Sequence, residues 1–591
     1  MGDLFSSLRQ WIDSKRPWWD RPSIFAVPEL IQFRNELRKK NLTDTEDGPL
    51  TGGLPTFNEH PEVLTQRTAD GTYNDLDFPK MGSTHCRFGR NIPLQFAFPD
   101  TKNLLNPNPR TVSQTLMTRT TFQPATIVNL LAACWIQFQT HDWFSHGRDE
   151  SAGNWFDIPL DASDPWPEHP MKVPLTPKDP TRQPGDTKPP AYRNECTHWW
   201  DGSQVYGADA PTAQKIRTGV DGKIKMGDNQ RLPLDPDSGI DLTGFIDNWW
   251  MGLSMMHALF AMEHNYVCEE LKRRNNGWSD EQLYQHARLI IVALMAKIHT
   301  VEWTCAILPN DTTQLAMRVN WHGLLGEGIS KPFEDSHDSE LLGGIIGSPT
   351  DHQTAPYSMT EEFVSVYRMH PLMPDDFDIC SVKDGSLLGH HELPEIAGRA
   401  NRPVLEKYRM QDLFYSFGIA NPGAIRLHNY PRHLQHLVRD NGKIFDMAAV
   451  DIFRDRERGV PRYNQFRELL HRPRVNSFEE MTDNPDWAKE LKQVYGSVDM
   501  VDLQAGLFAE PLPKGFGFSE TAFRVFILMA SRRLKSDRFF TRHWRPEVYT
   551  PWGIDFIQGT GMKDVLLRHF PALAPAMLNV ANPFAPWKKV S

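Results

Sequence analysis

A tyrosine and a histidine stand three residues apart in the segment FVSVYRMHPLMPD, residues 363–375. Tyr367 and His370 would share one face of a helix, and Pro371 disfavours the helical conformation at His370, so we expect the helix to end there. A histidine at a helix end can present a ring nitrogen to a haem iron. A tyrosine one turn earlier would then lie close to the edge of the haem. The plainer interpretation is a core tyrosine beside a surface histidine.

A second candidate histidine lies in TIVNLLAACWIQFQTHDWFSHG, a segment with helical periodicity. Gln137 and His141 are four residues apart and project from one helical face, whereas Asp142 points elsewhere. His146 is expected to face solvent. Taken alone, His141 is equally compatible with a packed structural residue.

Oxygen-bearing residues recur at short intervals in CTHWWDGSQVYG. The stretch supplies the side chains of Thr197, Asp201 and Ser203. The main-chain carbonyl of Trp199 falls between them. Calcium takes six to eight oxygen ligands, so a further carboxylate is required, and Asp142 is the candidate. An ordinary polar turn is the alternative interpretation.

The charged stretch FDMAAVDIFRDRERGVPRYNQFREL places Asp451 and Arg454 three residues apart. A carboxylate that contacts the second nitrogen of a metal-bound histidine fixes its tautomer and increases its basicity, which makes Asp451 a candidate for that position. Arg454 is a candidate partner for a haem propionate. A salt-bridged surface turn is the alternative.

Helical elements must position these residues, because helical periodicity dominates the chain and alternating apolar and polar runs are few and short. The sequence therefore predicts a mainly α fold. Residues 158–190 are rich in proline and can form neither a regular helix nor a central strand. Candidate motifs lie on both sides of this stretch, so we expect it to be a surface excursion of one large domain, residues 61–591, preceded by an N-terminal arm, residues 1–60.

The N-terminal arm has apolar residues at helical spacing and could lie on a membrane surface, although packing against the domain is an equal alternative. These residues are Leu4, Phe5, Leu8, Trp11 and Ile12. The chain has neither a signal-peptide pattern nor an uninterrupted apolar run of about 18 residues. We therefore expect a cytoplasmic or peripheral membrane protein.

Charge and cysteine content exclude other classes of protein. The net charge of -10 gives no electrostatic basis for binding nucleic acid. The six cysteines are widely scattered, which favours buried free thiols over disulfides. No feature of the sequence indicates an oligomer, so a monomer is expected.

The order of these motifs resembles the animal-type haem peroxidase superfamily over roughly residues 80–560, with DGSQVYG and RDRERGVPRYNQFR as the most specific segments. The resemblance implies a mainly α fold with haem b between a distal and a proximal helix. It implies that His141 is the distal histidine and His370 the proximal iron ligand. Residues that match the family's calcium site are Asp142, Thr197, Trp199, Asp201 and Ser203.

Departures from the halogenating peroxidases narrow the resemblance. Where those enzymes carry a distal arginine, a glutamate and a methionine, this chain has Ile246, Trp249 and Trp250. The resemblance therefore implies haem held without covalent links. Conversely, Tyr367 with His370, and Gln137 with His141, are similar to the arrangement in cyclooxygenases, although the EGF-like module of those enzymes is missing.

The segment KIHTVEWTCAIL resembles the fatty-acid alpha-dioxygenases. That resemblance places His299 and Thr304 in a substrate channel. It also implies an arginine near the C-terminus that binds the substrate carboxylate together with His299. We expect Arg538 in this role, with Arg542 and Arg545 as rivals.

This resemblance implies a haem-dependent reaction of a long-chain fatty acid with O2, activated by peroxide. A radical on Tyr367 would abstract a hydrogen from C2, and addition of O2 would give a 2-hydroperoxy fatty acid, which decarboxylates to the aldehyde one carbon shorter. Gln137 and His141 would serve on the distal side of the haem. One alternative is a peroxidase, or a dioxygenase that attacks the middle of an unsaturated chain. Another is a haem-fold protein without activity.

Overall fold

The computed structural model describes residues 17–324, 339–439 and 441–590, and these are mainly helical. The helices of six or more residues are α1 (Ser23–Lys40), α2 (Leu130–Thr140), α3 (Ala210–Ile216), α4 (Met251–Arg274), α5 (Asp280–Ile298), α6 (Asp311–His322), α7 (Glu361–Val366), α8 (Met410–Ile419), α9 (Met447–Glu457), α10 (Tyr463–Leu469), α11 (Pro485–Tyr495), α12 (Leu503–Ala509), α13 (Glu520–Lys535), α14 (Pro551–Gly559) and α15 (Met562–His569). Shorter helices are Pro109–Val112, Ser203–Tyr206, Thr304–Ile307, Ser339–Gly343, Asn401–Leu405, Phe478–Met481, Pro546–Tyr549 and Ala574–Met577.

Strands form three separate antiparallel pairs within the described ranges. They are β1 (Trp155–Ile158) with β2 (Met171–Pro174), β3 (Asp376–Cys380) with β4 (Leu387–Glu392), and β5 (Leu437–Val438) with β6 (Ile444–Phe445). The proline-rich stretch 158–190 contains β2 and no helix, as its composition predicts. Apolar residues around β1 and β2 pack against α9, for example Val173 in the same buried cluster as Phe453.

Two long helices, α4 and α5, are mostly buried and carry the centre of the core. The N-terminus of α5 has a capping box, in which Ser279 and Gln282 satisfy each other's backbone amides. Helix α2 packs closely on α4 because residue 252 is a glycine. A Cβ at Gly252 would lie 2.7 Å from the Cys134 sulfur, so a larger residue would push α2 away.

Helix α5 continues into a single π-helical turn, His299–Trp303, followed by the short helix Thr304–Ile307. Such turns are rare and occur frequently at functional sites. The Thr304 hydroxyl donates a hydrogen bond to the His299 carbonyl at 2.8 Å. The π turn thereby fixes the orientation of His299 relative to the rest of α5.

The prediction that the helix ends at His370 is wrong. Helix α7 ends at Val366, and Tyr367 adopts the bridge conformation (φ -86°, ψ 1°) just after it. His370 begins a separate 3-10 turn, His370–Leu372, in which Pro371 occupies an early position. Proline is accepted in the first turn of a helix, where its missing N–H has no partner to lose, so Pro371 starts a turn instead of ending one.

Helix α1 packs on α6 and α13. Arg38 donates a hydrogen bond to the Ser531 hydroxyl of α13 at 3.1 Å, and Arg34 donates to the Asn320 side chain of α6 at 2.8 Å. The predicted boundary between an arm, 1–60, and a domain, 61–591, stays a prediction. The apolar residues predicted to form the arm's amphipathic face, between residues 4 and 12, lie outside the described residues.

One helical stretch, Asp280–Ile307, is long and apolar enough to cross a membrane, although no such segment was predicted. However, 83% of its most apolar window is buried inside the protein, as in a core helix. Within the described residues all six cysteines are free thiols; five are buried, as predicted, and Cys380 is half-buried.

Candidate active site

The Tyr367 side chain is enclosed by aromatic rings. Its ring stacks on Phe526 at 4.6 Å and contacts Phe363 at 4.4 Å and Trp143 at 5.7 Å. The hydroxyl is buried and has no hydrogen-bond partner among the described residues. Burial raises the pKa of Tyr367 well above its usual value, although the nearby Arg533 acts in the opposite direction. The phenol therefore keeps its proton at neutral pH.

His299 lies in a box of tryptophans next to Tyr367. Trp303 stacks on its ring at 4.7 Å, and Trp200 and Trp143 meet its ring edge at 5.1 and 5.9 Å. Burial, assisted by the nearby Arg533, lowers the pKa of His299 to about 3, so the ring is neutral. The Nε2 atom is buried without a partner in the described part of the chain.

Arg533, on α13, completes this group. Its guanidinium lies 3.9 Å from the centre of the Trp143 ring and 5.3 Å from that of Trp200. Its Nε donates to the carbonyl of His198 at 3.1 Å, and its Nη2 donates to the carbonyl of Trp199 at 2.7 Å. Its Nη1 is buried and has no acceptor within the described ranges. One ring nitrogen, one guanidinium nitrogen and one phenol hydroxyl are thus left unpaired around Trp143.

An apolar cavity adjoins His299. Its walls come from the π turn and from α1, α6 and α13. They include Trp200, His299, Thr304, Leu30, Met317 and Phe526. Since Phe526 also stacks on Tyr367, the cavity and the phenol share a wall.

His370 follows Tyr367 by three residues and is suited to bind a metal. Its Nδ1 lies 2.8 Å from the Asp451 carboxylate, and the Tyr430 hydroxyl donates to the same carboxylate at 2.9 Å. Burial alone would raise the pKa of Asp451, but His370 and Arg368 lower it below its usual value. An anionic Asp451 leaves Nε2 of His370 as the nitrogen available for an iron. These residues fit a haem ligated by His370.

The distal pair lies near the C-terminus of α2. The side-chain amide oxygen of Gln137 accepts a hydrogen bond from the Trp250 indole at 2.6 Å. His141 contacts a second buried histidine, His257, at 3.1 Å between their Nε2 atoms, and Thr243 contacts Nδ1 of His257 at 2.8 Å. Burial lowers the pKa of His141 to about 4, so this ring is also neutral at pH 7. Sequence reasoning missed His257.

The oxygen-bearing residues of the predicted calcium site lie together. Thr197 donates to the Asp201 carboxylate at 2.8 Å, and Ser203 donates to Asp142 at 2.5 Å. Burial, with a contribution from Asp201, raises the pKa of Asp142 to about 7. The other Asp142 oxygen has no protein partner in the described segments. Paired carboxylates with a free oxygen fit a hard cation, although the Trp199 carbonyl here accepts from Arg533.

The two predicted arginines have protein partners of their own. Arg454 pairs with Glu457 at 2.6 Å, and its role beside a haem propionate stays a prediction. Arg538 donates to the backbone carbonyls of Val63, Leu64 and Tyr73, so it cannot reach His299. Its rivals Arg542 and Arg545 are exposed.

Arg533, which sequence reasoning missed, lies beside the tryptophans that surround His299. A helical pattern could have indicated it, because Phe526 and Arg533 are seven residues apart and share one face of α13. His146 was expected to face solvent, but its side chain is only 6% exposed and pairs with Glu361 at 3.0 Å.

The sequence and structure comparisons with known proteins agree on one family. The sequence model of the animal haem peroxidases matches residues 66–581. Alpha-dioxygenase PIOX of Oryza sativa subsp. japonica is 38% identical, covering 97% of this chain and 94% of that protein. The crystal structure of the Oryza sativa fatty acid alpha-dioxygenase matches with a TM-score of 0.92 and 35% identity, over 100% of this chain and 97% of the other. A variant of that enzyme, crystallised with palmitic acid, matches equally well.

A more distant relative matches over a smaller part of both chains. Prostaglandin G/H synthase 2 of Gallus gallus is 23% identical over 67% of this chain and 61% of that protein. The matches at 35–38% identity extend over nearly the whole chain, and the helical fold agrees with them. This chain therefore belongs to the animal haem peroxidase family and, within it, to the fatty acid alpha-dioxygenases.

Proposed function

We propose that this protein is a haem-dependent fatty-acid alpha-dioxygenase in which His299 and Arg533 hold the substrate carboxylate and Tyr367 attacks C2. One observation carries the proposal. His299 Nε2, Arg533 Nη1 and the Tyr367 hydroxyl are buried polar atoms without protein partners in the described chain, grouped around shared tryptophans. Buried donors are normally paired, so an anionic ligand is the natural partner for the first two.

The position of the carboxylate decides which carbon reacts. Trp143 contacts His299, Arg533 and Tyr367 alike. A carboxylate bound by the first two therefore brings its nearest methylene, C2, towards the phenol. The rest of the chain would follow the apolar cavity between α1, α6 and α13. Fixed positioning of this kind can lower the barrier to removing a weakly activated hydrogen.

Haem, when bound, would supply the one-electron oxidant for Tyr367. The phenol proton leaves with the electron and is balanced by a proton that reduction of the activating peroxide consumes. The Tyr367 oxygen radical takes a hydrogen atom from C2 and becomes the phenol again. O2 adds to the carbon radical, and the peroxyl radical takes the hydrogen atom back from Tyr367. The product is a 2-hydroperoxy fatty acid, and the tyrosyl radical is restored, so atoms and electrons balance over the cycle. His141 is neutral and can accept a proton from an activating peroxide.

The described residues include candidate ligands for haem b and for calcium. We assign His370 as the iron ligand, supported by Asp451, with Gln137 and His141 on the distal side. Ile246, Trp249 and Trp250 provide no carboxylate or thioether for a covalent link to haem. Calcium would be held by Asp142, Thr197, Asp201 and Ser203, together with the second lone pair of the Trp199 carbonyl, whose first accepts from Arg533.

Helix α1 suggests how the substrate arrives. Its Leu30 lines the cavity, whereas Ile24 and Phe25, near its start, are 73% and 70% exposed. We therefore assign this end of α1 to peripheral contact with a lipid surface. Liposome flotation should detect binding by the full-length protein and its loss in an Ile24→Glu, Phe25→Glu variant. Equal flotation of both proteins would refute this assignment.

Oxygen uptake with palmitate and a trace of peroxide tests the main proposal. A saturated chain has no bis-allylic hydrogen, so uptake with formation of 2-hydroperoxypalmitate separates this reaction from attack in the middle of an unsaturated chain. Tyr367→Phe should abolish uptake and leave the haem spectrum unchanged. Uptake with linoleate but not with palmitate would overturn the proposal. The closer match to alpha-dioxygenases than to the prostaglandin synthase already disfavours that outcome.

A further inference from the structure

The indole of Trp135, on α2, contacts the imidazole of His299. Trp135 Nε1 donates to Nδ1 of His299 at 3.3 Å, and both side chains are buried. An indole N–H can only donate, so Nδ1 of His299 must be the acceptor. In a neutral imidazole the single proton then lies on Nε2. The contact therefore selects one of the two tautomers of His299.

The surroundings of the His299 ring leave Nε2 as its only free polar atom. Trp303 stacks on one face at an interplanar angle of 16°, and the edge of Trp200 closes another side. Arg533 lies against the same Trp200 ring. With Nδ1 occupied by Trp135, the ring presents an N–H donor beside a guanidinium donor. The opposite tautomer would present a lone pair, which repels a carboxylate.

We propose that Trp135 is a positioning residue, which acts through His299 by fixing its Nε2–H tautomer and its ring orientation for the substrate carboxylate. This inference rests on the proposed function of His299. Without Trp135, Nδ1 would be a buried acceptor with no partner, and the ring could turn to satisfy it elsewhere. The carboxylate, and with it C2, would then be held less tightly and less precisely.

Helix α2 gains a double role from this contact. Gln137 and His141 lie two and six residues beyond Trp135 on the same helix, so α2 positions the distal haem side as well as the substrate anchor. The packing of Trp135 against Phe138, Phe260 and Phe584, with ring centres 5.5 to 5.9 Å away, holds the indole in place. A phenylalanine at position 135 would keep most of this packing and lose only the donor.

The test measures palmitate affinity by calorimetry on the haem-loaded Tyr367→Phe protein, which binds but does not turn over. Trp135→Phe should weaken binding about fivefold, the usual worth of one neutral hydrogen bond. His299→Phe should weaken it at least as much. Adding Trp135→Phe to His299→Phe should cause no further loss, because the partner is gone. In the active protein, Trp135→Phe should raise KM and lower kcat with an unchanged Soret band.

Each outcome has a distinct meaning. If Trp135→Phe binds palmitate within twofold of its parent while His299→Phe binds weakly, this inference falls and the proposed carboxylate site stands. If His299→Phe binds normally, the proposed site itself falls. Additive losses in the double variant would show that Trp135 acts by another route, which also overturns the inference.

Two further variants keep the test decisive. If Trp135→Phe does not fold, benzothienylalanine introduced at position 135 keeps the shape of the indole and removes only its N–H, with the same expected fivefold loss. Trp155→Phe is the matched control. Trp155 is a partly buried tryptophan whose N–H donates to the Glu150 carbonyl at the same distance, 3.3 Å, and it packs against the separate cluster around β1 and β2, so palmitate affinity should not change.

Discussion

Replacing Arg533 by lysine separates the positive charge from the geometry of the guanidinium. Arg533 uses Nε and Nη2 on the carbonyls of His198 and Trp199 and keeps Nη1 free. A lysine has its three donors on one nitrogen, so it cannot reach two carbonyls and a carboxylate at once. Arg533→Lys should therefore retain a cation in the site but lose the bond to the substrate.

The expected loss follows from the strength of one hydrogen bond to a charged group, about 1.5–3 kcal/mol. With about 1.4 kcal/mol per tenfold in affinity, palmitate should bind about 10- to 150-fold more weakly. The same loss should be seen in kcat/KM for oxygen uptake. The Soret band should be unchanged, because Arg533 contacts none of the residues assigned to the distal or proximal side of the haem.

Arg532→Lys is the matched control. Arg532 is equally buried on the same helix, but its Nη2 donates to the carbonyls of Ala355 and Pro356 at 2.6 and 2.8 Å. The Arg532→Lys variant should be less stable than wild type, but its palmitate affinity should stay within about twofold of the wild-type value. Equal losses of affinity in the two variants, or none in Arg533→Lys, would refute the assignment of Arg533 to the carboxylate.

Three other measurements test separate parts of the site. Asp451→Ala removes the partner of His370 and should speed the transfer of haem to apomyoglobin about 10- to 100-fold; an unchanged rate would contradict the assigned role. Thr304→Val removes the hydrogen bond to the His299 carbonyl and should lower the free energy of unfolding by about 1 kcal/mol. Palmitate affinity should stay within threefold of wild type, and a larger loss would show that this hydroxyl contacts the substrate. Because the pKa of His299 is lowered to about 3, the unfolded chain takes up a proton below pH 6.5 that the folded chain does not. Wild type should therefore lose about 2 kcal/mol more stability than His299→Gln between pH 7 and 5, measured by urea unfolding, and an equal loss would contradict a buried neutral ring.

The sequence predicts the helical class and the residues His141, Tyr367 and His370 because periodicity and local motifs are properties of short segments. The end of α7 was misplaced by a turn, since Pro371 is as acceptable at the start of a 3-10 turn as after the end of a helix. The contact of Asp451 with His370 joins segments 81 residues apart in the chain. In the sequence, only the order of the motifs indicated that Asp451 and His370 would meet.

The choice among arginines could not be made from the sequence. Arg533 and Arg538 lie in one short segment, and both are buried. They differ in the backbone carbonyls that surround them, which come from residues 198–199 in one case and 63–73 in the other. Such long-range contacts leave no local pattern. The same holds for Trp135, which looks like an ordinary core residue until its N–H is seen against His299.

The unpaired donors of the site also set its selectivity. Burying a polar group without a partner costs about 1–3 kcal/mol, so His299 Nε2 and Arg533 Nη1 make the empty site less favourable than a paired one. A fatty-acid carboxylate recovers this free energy for both donors. A fatty alcohol or a methyl ester brings no anion to the guanidinium and leaves much of this cost in place. Sites of this kind discriminate strongly against ligands without the matching polar group, and only weakly against ligands one methylene shorter or longer.

The protein should therefore bind fatty acids of a range of chain lengths, and bind compounds with a different head group much more weakly. Comparison of palmitate with myristate and with methyl palmitate measures this directly, and binding of the ester as tight as that of the acid would contradict the pairing on which the site is built.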